Sequence, residues 1–241
     1  MKKRTQSLFQ LFAVIVFLMG CNNKQVKSQG KSDTTIIARY KEEDYHVVFE
    51  DRKGSSFYEG ILKGVEVDTF QYNRVLQEIK DSFNISIKRF SLPLKREWVS
   101  LNVYKDKYYA YAPSEPWVNL HFAFTDSTVI INFFNDGYIP SIIQSITNKD
   151  GSIVLNIKAL YYYDDEYSKI IVHFLLKQKD IAIIAFPLKQ GEGRYHLVGA
   201  KEKIRSFPII VNYCPGRRCA EWQFEKPDYK MLLSKGVVKG L

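Results

Sequence analysis

The sequence predicts a mainly β protein. The expected form is an antiparallel meander sheet, curved or barrel-like, with one packed amphipathic helix in the N-terminal part and a short C-terminal helix. Three observations carry that expectation. Aromatic residues make up 15% of the chain, with 16 Tyr and 16 Phe, and aromatic and β-branched side chains suit half-buried pleated surfaces. Beyond Pro93, short apolar runs alternate with turn-forming clusters such as Thr125-Asp126-Ser127, Asn135-Asp136-Gly137 and Asp150-Gly151. Links this short join only antiparallel neighbours. No internal repeat is visible, which argues against a propeller.

The first residues are of another kind. Lys2, Lys3 and Arg4 precede an apolar run from Leu8 to Gly20, and Cys21 follows. As a helix that run spans about 20 Å, short of a hydrocarbon core of about 30 Å, and the pattern is that of a secretory leader. Leu18-Met19-Gly20-Cys21 resembles the lipobox of bacterial lipoproteins. The resemblance implies a diacylglyceryl group on Cys21, cleavage after Gly20 and acylation of the new amine by a fatty acid such as palmitate. It covers these residues alone and implies nothing about the fold. One acyl chain binds a bilayer marginally, whereas two or more hold firmly, so a lipid bilayer is an expected partner through acylated Cys21.

The expected organisation is a signal peptide over residues 1–20, a lipid-bearing flexible tether over 21–34 and a single β-rich domain over 35–241. The tether has one aliphatic residue, Val26, and no periodicity; as a flexible linker it reaches about 20 Å. Charges near Cys21 are Lys24, Lys27 and Lys31. Surface-exported Bacteroidota lipoproteins resemble one another in an acidic cluster after the cysteine, and this chain has none there. The expected location is therefore the bacterial cell envelope, lipid-anchored at the outer membrane and facing the periplasm.

In the domain, Ile36–Tyr40 and Tyr45–Glu50 read as strands, and Phe57–Leu62 reads as the hairpin partner of the second. Thr69–Phe83 reads as a helix, with Tyr72, Val75, Leu76, Ile79 and Phe83 at helical spacing and Asp68 as N-cap in a capping box with Gln71. Such a stripe must cover the sheet. Further strands are expected near 98–104, 108–112, 118–124, 128–134, 139–147, 152–160, 169–176, 181–188, 195–199 and 208–214. Ile170–Leu176 and Ile181–Phe186 are apolar on both faces, so both faces need cover, and they are expected at the sheet centre. Asp228 is placed to cap a short helix ending at Gly236.

Without residues 1–20 the formal net charge falls from +9 to +6. There is no basic helix, zinc spacing or RNA-binding motif, so nucleic acid is not an expected partner. Anionic lipid or glycan is the natural counterpart of that charge. No cofactor motif, HExxH or GxSxG occurs, and the four histidines have no metal-ligand spacing.

Three clusters remain. Tyr108, Tyr109, Tyr111 and Trp117 form an aromatic segment that suits a sugar or other flat ligand and equally suits sheet packing. Asp164 and Asp165, in Tyr161–Tyr167, suit Ca²⁺ or a sugar, or else a solvated turn whose charges discourage edge pairing. Cys214 and Cys219 flank Pro-Gly-Arg-Arg, and in an oxidising compartment they suit a disulfide stapling a hairpin. The functional expectation is a non-enzymatic binding or structural domain for a partner protein, glycan or other ligand. The alternatives are a lipocalin-like carrier of an apolar ligand, an analogy of architecture, or a hydrolase whose site is invisible in linear sequence.

Overall fold

The computed structural model describes residues 34–40, 46–51, 55–63, 68–115, 119–132, 138–159, 168–175, 180–187, 193–214 and 219–236. The expected leader, and the expected tether up to residue 33, lie outside these. The first strand, β1, starts at Thr34.

The chain is mainly β and closes eight antiparallel strands into a barrel. These are β3 (Glu97–Ser100), β6 (His121–Phe124), β7 (Thr128–Asn132), β8 (Tyr138–Lys149), β9 (Ser152–Lys158), β10 (Lys169–Phe174), β11 (Ile181–Phe186) and β12 (Arg194–Ala200). They pair in sequence order, and β12 returns to β3 through Val99 opposite Gly199. This is the expected meander, with an excursion between β3 and β6. The excursion carries β4 (Asn102–Tyr104) and β5 (Lys107–Ala112) into a second sheet of order β1-β2-β13-β5-β4, where β1 is Thr34–Arg39, β2 is Val47–Asp51 and β13 is Ile209–Tyr213. All pairs are antiparallel except β13 with β5, which is parallel.

The turns follow their residues. Lys105-Asp106 and Asp150-Gly151 all have positive φ, the geometry of two-residue turns matched to strand twist.

Alternation in each barrel strand sends one set of side chains inward. Trp98, Phe122, Val129, Leu155, Val172, Ile184 and Val198 are buried there in one apolar cluster with their neighbours. Eight strands enclose a space that side chains can just fill, and here large ones do. Outward residues of β3, β11 and β12, among them Val99, Ile183 and Leu197, pack with Ala110, Ile209 and Val211 of the second sheet. That is why β11 is apolar and buried at every position. A closed barrel has no central strand, so the expectation of a sheet centre is corrected. β10 is covered fully only on its inner face, where Ile170 and Val172 are buried, while Ile171 and His173 are half-buried.

Helix α2 spans Thr69–Phe83, as its periodicity predicts, after a shorter helix α1 at Tyr58–Leu62. Asp68 Oδ1 accepts from the Phe70 and Gln71 amides at 2.9 and 3.3 Å. Val75 and Ile79 pack on Ile142, which points outward from β8. α1 replaces the strand expected over Phe57–Leu62. Its Tyr58 and Ile61, three apart, both turn into the layer between barrel and second sheet, and β2 pairs instead with β1 and β13. The strand expected over 98–104 breaks at Leu101, whose amide donates to Leu197 O at 2.9 Å. A 3₁₀ turn (Lys201–Ser206) follows β12, and α3 (Tyr229–Gly236) ends the described chain, with Asp228 Oδ1 accepting from the Met231 amide at 2.9 Å.

Candidate functional site

The aromatic segment singled out in the sequence is divided by the pleat of β5. Tyr108 turns to the layer shared with the barrel. Tyr109 and Tyr111 turn to the opposite face, 3% and 6% exposed, beneath Trp222 and Phe224. These three rings are packing groups of the second sheet. Trp117, Asp164, Asp165 and Cys21 lie outside the described residues.

Cys214 and Cys219 form a disulfide with Cα atoms 6.1 Å apart. The hairpin expected around it is not formed, because β13 ends at Tyr213 and residues 219–224 are not a strand. Those residues instead form a strap across the far face of the second sheet, tied by hydrogen bonds at Cys219, Ala220 and Trp222 and by one carboxylate. Glu221 Oε2 accepts from Tyr111 Oη (2.5 Å), Asn212 Nδ2 (3.0 Å) and the Ser114 amide (3.3 Å). Its Oε1 accepts from Ser114 Oγ (2.6 Å) and the Glu115 amide (3.1 Å). Burial opposes ionisation of Glu221, but the hydrogen bonds from Ser114, Tyr111 and Asn212 outweigh it and lower its pKa. Asn212 Oδ1 meets His46 Nε2 at 2.7 Å, and His46 stacks on Tyr40 at 4.3 Å. Sequence spacing could not reveal this network, since it joins stretches of chain more than 100 positions apart.

The other histidines are distributed over the barrel. His121 faces outward, only 7% exposed; burial, aided by Lys201, lowers its pKa to about 4. His196 points inward between the Phe122 and Phe186 rings, at 5.7 and 5.8 Å. Burial, aided by Arg194, lowers its pKa to about 4, and its Nε2 has no hydrogen-bond partner among the described residues. His173 Nδ1 meets Ser152 Oγ at 2.8 Å across β9 and β10. Among the described residues no hydrogen bond from that imidazole to a carboxylate is formed. Among the described residues no three His, Cys, Asp or Glu side chains converge on a metal-sized site, and no helix is long and apolar enough to cross a membrane.

One feature among the described residues with the dimensions of a ligand site is a cleft of about 520 Å³ between the start of β12 and the start of α3. Its lining includes Arg194, Tyr195 and His196 from β12 and Lys226, Pro227, Tyr229 and Lys230 from the approach to α3. That volume lies within the range of about 300–1,000 Å³ usual for small-ligand sites. Tyr195 remains 37% exposed, and its ring stacks on Tyr229 at 5.3 Å and 24°. Burial raises the Tyr229 pKa, keeping its hydroxyl protonated. A second cleft of about 430 Å³ lies by the β6–β7 turn, lined by Phe90, Leu92, Leu94, Arg96 and Asp126. Its apolar side chains belong to the barrel core, and Asp126 pairs with Arg89. The first cleft was missed in the sequence because Tyr195 and Tyr229 meet only through the fold. The one linear signal was Lys226-Pro227-Asp228-Tyr229-Lys230, read as the entry to a helix.

Comparisons with protein-family models, curated proteins and solved structures found no match.

Proposed function

We propose that this chain is a lipid-anchored protein of the bacterial cell envelope, held at the outer membrane by acylated Cys21 and facing the periplasm. Its β-domain is a non-enzymatic binding module for a glycan or other ligand. The observation that supports this reading is the contrast between the two sides of β12. Inward, the barrel is filled by its own side chains. Outward, a half-exposed tyrosine pair borders an open cleft. A carrier of the lipocalin type needs room inside its barrel, so the filled interior favours binding on the outside. A tether of about 20 Å leaves such a surface free to meet envelope components.

The test is a glycan array probed with the full-length chain held in lipid vesicles. Selective retention on a subset of glycans, lost with Tyr195→Ala, is the expected result. Absence of retention on every glycan, or retention unaffected by Tyr195→Ala, would overturn the assignment of binding to this cleft.

A further inference from the structure

We infer that the β12–α3 cleft takes a sugar ring carrying a negative charge, an inference that rests on the binding function proposed above. Two independent properties of the lining meet in that ligand. The first is charge. Lys226 and Lys230 border the cleft and outnumber Asp228, whose Oδ1 accepts from the Met231 amide as the cap of α3. Lys226 and Lys230 are exposed, so their ammonium groups reach a ligand without a large prior desolvation cost. The cleft therefore favours an anion at its polar side.

The second property is the aromatic wall. Tyr195 is held flat by its stack on Tyr229, and it offers an apolar body with a polar tip on a side chain of few rotatable bonds. Such a ring costs little conformational entropy to use and suits the C–H face of a pyranose. A bare inorganic anion would gain nothing from this platform, and a neutral sugar would gain nothing from the cations. A sugar bearing a carboxylate or a phosphate uses both. The cleft beside the β6–β7 turn lacks this combination: it is lined by Arg96 and by Asp126, which pairs with Arg89, and its apolar groups pack on the barrel core.

The test uses the full-length chain in detergent and titration calorimetry with four probes: trigalacturonate, glucose 6-phosphate, maltotriose and adenosine monophosphate. Trigalacturonate or glucose 6-phosphate should bind at least about tenfold more tightly than maltotriose, and the difference should shrink as salt screens it. The two charged sugars separate a carboxylate from a phosphate as the recognised group. The double variant Lys226→Gln/Lys230→Gln should bring charged and neutral sugars within about twofold of each other, while Tyr195→Ala should weaken both. All these residues are exposed or half-exposed, and far-UV circular dichroism checks that the variants fold. Equal affinity for maltotriose, or charge preference unmoved in the lysine variant, would overturn this inference while leaving a binding role for the cleft intact. Tighter binding of adenosine monophosphate than of any sugar would overturn the sugar assignment. Failure of all four probes would overturn it too, and the array then decides the broader reading separately.

Discussion

Removing the Glu221 carboxylate should detach the strap from the second sheet. Five donors converge on its two oxygens, from Tyr111, Ser114 (twice), Glu115 and Asn212. A hydrogen bond to a charged group contributes about 1.5–3 kcal/mol, but such bonds do not add. Glu221 is half-buried and carries the network's one charge, so Glu221→Ala leaves neutral donors in part reachable by water, and a loss of about 2–3 kcal/mol is expected. Glu221→Gln is the sharper variant, because every partner is a donor and the amide must turn an NH₂ towards one of them. The less costly orientation faces it to Ser114 Oγ, which can rotate to accept, and to the Glu115 amide, which cannot. That leaves a cost of about 1–3 kcal/mol. The assay is urea unfolding of the purified chain, with a lower midpoint and unchanged slope expected. The pH dependence has a definite sign. The folded pKa is lowered, so this stabilisation is present above the ordinary carboxylate pKa and is lost as pH falls through the folded value. A loss below about 1 kcal/mol for Glu221→Ala would show that the strap is held by its apolar contacts and not by the carboxylate.

Three further outcomes are expected. Cys21→Ser should abolish fatty-acid labelling and release the chain from membranes or leave a precursor; unchanged labelling would exclude Cys21 as acceptor. Ile184→Asp places a charge in the filled barrel and should prevent folding or cost more than about 4 kcal/mol, whereas Ile171→Asp, on the half-buried outer face of β10, should cost less. Equal midpoints for the two in denaturant melts would contradict the inner-outer assignment. His121 and His196 titrate near 4 instead of 6.5, so the unfolded chain takes up protons first as pH falls. Stability should be complete above 6.5 and decline down to about 4, by up to about 3 kcal/mol for each histidine. His121→Gln/His196→Gln should flatten that slope, and an equally steep slope in the double variant would place the effect elsewhere.

Much of the architecture was legible because local chemistry and burial agree. α2 is legible because an apolar stripe, a cap at Asp68 and the left-handed Asn84 mark its face and ends. The two-sided apolarity of β11 announces cover on both faces, although whether a barrel wall or a second sheet supplies it is a non-local matter. Phe57–Leu62 was misread because six residues are too few to separate a strand from a short helix. The break at Leu101 was illegible because nothing in Trp98–Tyr104 records that the chain changes sheets. The functional surfaces were the least legible. The Glu221 network joins β5 to the segment after β13, and the cleft joins β12 to α3, so each exists only once distant strands have met.

The closure of the barrel bears on how the chain reaches its folded state. Val99 must find Gly199, about a hundred residues later, and the β4–β5 excursion lies between β3 and its other partner, β6. Apart from β3 with β6, every other barrel pairing forms between consecutive strands and can assemble progressively, hairpin by hairpin. The β3–β12 seam cannot. Loop-closure entropy delays such a contact and makes folding slow. Until the seam zips, β3 and β12 each present a bare edge, open to pairing with other unfinished chains. The finished barrel buries that hazard, so the interval before closure is when the chain is most exposed to misassembly.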